Sequence, residues 1–153
     1  MNRLFALLAL ILATSTGCIP DPISPEDQLK TDIKKIEEYL DDNGLSATST
    51  ESGLYYIIDE EGTGSNPSID DDVTVHYKGY LLNGNVFDET GASPVTFALK
   101  NLILGWQEGI PLLKKGGKGT FFLPSYLGYG TSSPSSEIPS NSVLIFEIEL
   151  VDF

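Results

Sequence analysis

The sequence predicts an α+β domain: a curved antiparallel sheet wrapped around one short helix, with a helical extension at its N-terminal side. Three observations carry this. Val73, Val75 and Tyr77 alternate with Thr74, His76 and Lys78, and Leu144, Phe146, Ile148 and Leu150 alternate with residues that include Glu147 and Glu149, the period-two pattern of half-buried strands. Within the same region a single segment has helical period, with Trp106, Ile110 and Leu113 on one face at i, i+4 and i+7. Upstream, Leu29, Ile33, Ile36 and Leu40 form one narrow apolar stripe on an otherwise charged helix.

Taken in order, residues 1–17 read as a secretory signal, because Arg3 precedes an apolar run from Leu4 to Ala13 that is followed by small polar residues. That run is too short to span a bilayer, which takes about 20 apolar residues. Ser15-Thr16-Gly17-Cys18 resembles a bacterial lipoprotein lipobox, which makes Cys18 the expected lipidation site and the chain an exported one, anchored by lipid to a membrane of the cell envelope. Residues 18–24, rich in proline, read as an extended tether. The segment 25–44 is expected to form a helix running to about Asn43, with Ser24 as N-cap, Pro25 at the first helical position and Gly44 just past the last helical residue. Its stripe is expected to dock on the same chain or act as a spacer. Dimerisation through residues 29–40 is the less favoured use, since paired helices normally sustain three or four heptads.

Residues 45–53, nearly all Ser and Thr between Ala47 and Ser52, read as a flexible linker, and residues 54–153 as the domain proper. Its expected strands are 54–59, 73–82, 85–88, 120–123 and 143–151, with Asn83-Gly84 turning the second into the third. Pro111 lacks a backbone donor, so the helix carrying Trp106 is expected to be short and distorted there.

Composition narrows the chemistry. The formal charge of −13 becomes −14 without Arg3, with 22 acidic against 8 basic residues, and offers no basic surface for nucleic acid. One histidine on the solvent parity of its strand and one cysteine outside the domain exclude a Ser-His-Asp or Cys-His arrangement and a His/Cys metal site. No phosphate loop or dinucleotide fingerprint occurs, and no cofactor is expected. What remains is a set of aromatics with one acid.

That set has an order. Val-His-Tyr-x-Gly at 75–79, Gly-x-x-Phe-Asp at 84–88, Pro-x-x-Phe at 94–97, Leu-Ile-x-Gly-Trp at 102–106, Leu-Gly-Tyr-Gly at 127–130, Ile-Pro at 138–139 and Leu-Ile-Phe-Glu-Ile-Glu-Leu at 144–150 together resemble the FKBP family of peptidyl-prolyl isomerases over about 54–153. The resemblance implies a shallow hydrophobic pocket between sheet and helix. Trp106 would be its floor, and Tyr77, Phe87, Leu102, Ile103, Ile138 and Phe146 its walls. Phe97 or Val95, which share a strand parity, would complete them. Tyr129 would offer its hydroxyl, and Ile103 its backbone amide, to substrate carbonyls, with Asp88 at the rim; Tyr77, Asp88 and Tyr129 are the expected catalytic groups. The implied partners are proline-containing polypeptides, with macrolides as inhibitors, and the implied activity is X-Pro isomerisation in folding of exported proteins. The alternative is a proline-binding chaperone module without significant turnover.

Overall fold

The computed structural model describes residues 23–153, so the leader, Cys18 and most of the tether lie outside the described residues. Helix α1 (Pro25–Asp42) starts where Ser24 accepts a hydrogen bond from the Asp27 amide at 3.1 Å, with Glu26 and Asp27 favourably placed in the first turn. It ends at Asp42, one residue short of the expected Asn43. There Asn43 donates from its side chain to the Tyr39 carbonyl at 2.7 Å and Gly44 takes a positive φ of 63°.

Seven antiparallel strands follow: β1 (Thr48–Ser49), β2 (Tyr55–Glu60), β3 (Asp72–Leu81), β4 (Val86–Glu89), β5 (Val95–Ala98), β6 (Lys118–Leu123) and β7 (Leu144–Asp152). Their order is β1-β2-β6-β7-β3-β4. β5 also pairs with β3, so β4 and β5 share one edge of that long strand, β4 along Lys78–Tyr80 and β5 along Asp72–Val75. The segment read as a flexible linker is ordered into the sheet. Thr48 and Ser49 pair with Tyr56 and Tyr55, and the Thr50 amide bonds the Leu54 carbonyl at 2.9 Å across the turn. β-Branched threonine suits such a pairing as well as a loop, and composition alone does not separate the two.

The two faces of the sheet hold different cores. Val73, Val75, Phe121, Leu123, Leu144, Phe146, Ile148 and Leu150 point inward onto α2 (Leu104–Gly109) and the 3-10 turn Ile110–Leu112 that continues it. Pro111 sits early in that turn, where its missing N–H matters least, and the α-helix closes at Gly109 before it. On the opposite face Phe122 and Ile145 meet Ile36 and Leu40 of α1, with Val143 beside them. The stripe on α1 is thus docked within the chain, and Leu29 and Ile33 pack around Gly53.

Candidate active site

One cavity of about 190 Å³ opens on the inner side of the sheet. Trp106, 5% exposed, forms its floor from the middle of α2, a position that Gly105 permits because any Cβ there would overlap Leu123 of β6. Three rings stand on the indole edge to face: Tyr77 at 5.0 Å, Phe146 at 5.3 Å and Phe97 at 6.1 Å between centroids. Such perpendicular pairs each add about 0.5–1.5 kcal/mol beyond area burial, so the cup is held by its own walls. The indole N–H is buried and has no acceptor among the described residues; what Trp106 presents is an aromatic surface.

Phe87 closes the β4 side, 5.6 Å from Phe146, and Leu102 and Ile103 close the side leading into α2. Both Phe87 and Phe146 lean over Gly79, where an added Cβ would lie 2.6 Å from one ring and 2.7 Å from the other. Gly79→Ala is therefore expected to displace the half-buried Phe87, lowering stability by about 1–3 kcal/mol. Urea unfolding together with the tryptophan emission spectrum reads both effects.

At the rim the Tyr77 hydroxyl donates to the Asp88 carboxylate at 2.6 Å, and Tyr129 lines the same opening. Burial raises the Tyr77 pKa above the ordinary tyrosine value, and the bond to Asp88 pushes it the same way. Tyr129 is raised too, first by burial and then by the charge of Asp88. Both phenols are donors at neutral pH. Because their folded pKa values are raised, the stability they contribute is present below about pH 10 and is lost as the pH rises past it.

Thr90 is a supporting residue that the motif reading does not single out. It bridges the gap between β4 and β5, its amide donating to the Tyr77 carbonyl at 2.9 Å and its hydroxyl accepting from the Tyr77 amide at 3.1 Å. The only signal in the sequence is a hydroxyl residue two places after Asp88, which is too common to be diagnostic.

Two expected wall residues stand elsewhere. Val95 shares the face of Phe97, but its short side chain does not reach the cavity and stays 41% exposed on β5, while the longer Phe97 ring reaches the indole. Ile138 is buried in the inner core instead of lining the opening, drawn in by its apolar side chain. The remaining expected groups, Tyr77, Phe87, Asp88, Phe97, Leu102, Ile103, Trp106, Tyr129 and Phe146, line the one cavity.

A larger groove of about 650 Å³ crosses the outer face, but charged residues such as Lys78, Lys118, Glu147 and Glu149 line much of it. It is an open sheet surface of cross-strand charge pairs, with Lys78 opposite Glu147 and Lys118 opposite Glu149, and lacks the apolar enclosure a small ligand needs.

Residues 64–151 match the family model described as FKBP-type peptidyl-prolyl cis-trans isomerase. The chain is 49% identical over 128 residues to the FKBP-type peptidyl-prolyl cis-trans isomerase FkpA of Buchnera aphidicola subsp. Schizaphis graminum, covering 82% of this chain and 48% of that protein. The crystal structure of FkpA from Escherichia coli superposes with a TM-score of 0.70 at 37% identity, over 83% of this chain and 61% of that one. A peptidyl-prolyl cis-trans isomerase from Pseudomonas syringae pv. tomato superposes with a TM-score of 0.72 at 27% identity, over 87% and 98%. The chain spans about half the length of the curated relatives it matches.

Proposed function

The chain belongs to the FKBP-type peptidyl-prolyl cis-trans isomerase family, and we propose that its aromatic cavity catalyses rotation about X-Pro bonds in proline-containing polypeptides. The observation that carries this is the convergence of the Tyr77, Phe97, Trp106 and Phe146 rings on one opening beside Asp88 and Tyr129. No nucleophile is required. The barrier to rotation is about 18–20 kcal/mol because twisting interrupts amide conjugation, and the uncatalysed exchange takes tens to hundreds of seconds.

In the planar amide the carbonyl oxygen carries negative charge drawn from nitrogen; in the twisted amide that separation is reduced. An apolar cup around the prolyl ring removes water that solvates the planar state better than the twisted one, which is preferential binding of the transition state. A carboxylate at the rim acts in the same direction wherever the rotating oxygen faces it, since its repulsion weakens as that oxygen loses charge. Donors to the rotating carbonyl itself would favour the planar amide and oppose rotation. The Tyr129 hydroxyl and the Ile103 amide therefore serve carbonyls of the flanking chain, fixing one side of the bond while the other turns. Ile103 is suited to this because, as the residue capping α2, its N–H has no intrahelical partner.

Protease-coupled hydrolysis of a short Xaa-Pro peptide tests the reading. The purified chain should accelerate the slow phase, and a macrolide inhibitor of the family should abolish that acceleration by occupying the cup. Suppression of a client's aggregation with no acceleration would instead describe a binding module. We also propose, from the leader and Cys18, that the protein is exported and lipid-anchored to a bacterial cell-envelope membrane, assisting folding of exported proteins. Incorporation of labelled fatty acid that disappears in Cys18→Ser checks this.

A further inference from the structure

Among the charged residues of α1, Asp32 is fully buried. Burying a carboxylate is costly unless hydrogen bonds replace its hydration, and an apolar side chain would dock the helix without that penalty. Ile36 and Leu40 already supply apolar docking. What Asp32 adds is a specific grip on one residue of the domain. Its Oδ2 accepts from the Ser125 backbone N–H at 2.9 Å and from the Ser125 hydroxyl at 2.6 Å, while Oδ1 accepts from Gln28 Nε2 at 2.8 Å.

Ser125 in turn governs the loop that carries Tyr129. Its carbonyl accepts the amides of both Gly128, at 3.0 Å, and Gly130, at 2.8 Å, so the backbone is tied on either side of Tyr129 to the residue that Asp32 holds. The Gly130 carbonyl is then taken by the Asn141 amide at 2.7 Å, and the hydroxyl of Tyr126, next to Ser125, donates to the Ser52 carbonyl just before β2. Helix α1 is anchored on the outer face of the sheet, and the phenol at the other end of this chain of bonds stands at the rim of the inner cavity.

We propose that Asp32 is a positioning residue for Tyr129: through Ser125, the N-terminal helix sets where the Tyr129 hydroxyl stands at the cavity. The helix is then part of the catalytic unit and not a spacer outside it. This rests on the cavity being the isomerase site, as proposed above, but the grip on the loop is measurable without turnover.

The experiment uses the full-length chain with two readouts: amide hydrogen exchange at Ser125, Gly128 and Gly130, and kcat/KM for an Xaa-Pro peptide. Asp32→Ala should speed exchange at all three amides and lower kcat/KM at least about tenfold, since a misplacement of about 1 Å caused far from the chemistry can cost about a hundredfold. Asp32→Asn should restore most of both, its amide oxygen accepting from Ser125 while Gln28 turns its own carbonyl to the new NH2. In a Tyr129→Phe background the further effect of Asp32→Ala on kcat/KM should largely vanish, because the two act as one unit. Equal losses from Asp32→Ala with and without the Tyr129 hydroxyl would overturn the proposal, as would unchanged exchange at the three amides. Should Asp32→Ala fail to fold, Ser125→Ala, which deletes only the hydroxyl bond, reads the same coupling in the same double-mutant form. If the unsubstituted chain shows no acceleration, the isomerase reading fails by itself and the exchange rates alone decide whether Asp32 holds the loop.

Discussion

Trp106→Ala is expected to lower stability by about 3–5 kcal/mol, the usual range for deleting a buried aromatic, and to remove activity with it. The indole is 5% exposed and serves as the common edge partner of Tyr77, Phe97 and Phe146 at 5.0–6.1 Å, so its removal leaves a void that no single neighbour can fill. The backbone of α2 cannot collapse into it, because Gly105 and Gly109 already press on Leu123 and Phe121. Against a typical total of about 5–15 kcal/mol, a loss of this size consumes a large share of the folding free energy. Urea denaturation measures it. A loss below about 1 kcal/mol would mean that the ring is not a structural floor, since surface substitutions are of that order.

Asp88→Ala should separate function from folding. The carboxylate is exposed at the end of β4, and among the described residues its one side-chain bond is to the Tyr77 hydroxyl. Its removal is expected to change stability by less than about 1 kcal/mol, as for other exposed positions. On kcat/KM the expected loss is about 10- to 100-fold, equivalent to roughly 1.4–2.7 kcal/mol of barrier. Two consequences combine: the rim loses the charge that disfavours the planar amide, and Tyr77 loses the acceptor that orients its phenol. Tyr77→Phe keeps the ring and the charge but not the bond, and should show the smaller loss. Thermal unfolding and the peptide assay on the same preparations check both.

How legible the molecule was in its sequence depended on whether a residue's partner lay on a regular period. β3 and β7 each bury one face along nearly their whole length, so alternation alone located them and turned Tyr77, Phe146 and Ile148 inward. Pro111 marked the end of α2 because the loss of a backbone donor has a local consequence. The outer core was harder to see. Ile145 and Phe122 lie on the parity that Glu147 and Glu149 assign to solvent, and only α1, docked from elsewhere in the chain, makes that part of the face apolar.

β1 and β5 are two and four residues long, and most of their residues are exposed, too short for any period to register. The choice between Val95 and Phe97 turned on side-chain reach, and the placement of Ile138 on how its loop folds inward; neither is a property of spacing. Asp32 is the most instructive case. In a helix crowded with acids and lysines it looks like one more solvated charge, and only the approach of Ser125, 93 residues away, distinguishes it.

On the proposed mechanism, an aromatic, water-excluding cup speeds X-Pro rotation with no proton in flight. The most direct test is the catalysed cis-to-trans exchange rate of an Xaa-Pro peptide, followed by NMR in H2O and in D2O with the chain at a small fraction of the peptide concentration. Clear acceleration is expected, with a rate ratio of about one between the two solvents, since rotation in the cup uses no general acid or base. No acceleration, or exchange clearly slower in D2O as proton transfer in the rate-limiting step would give, would overturn the mechanism.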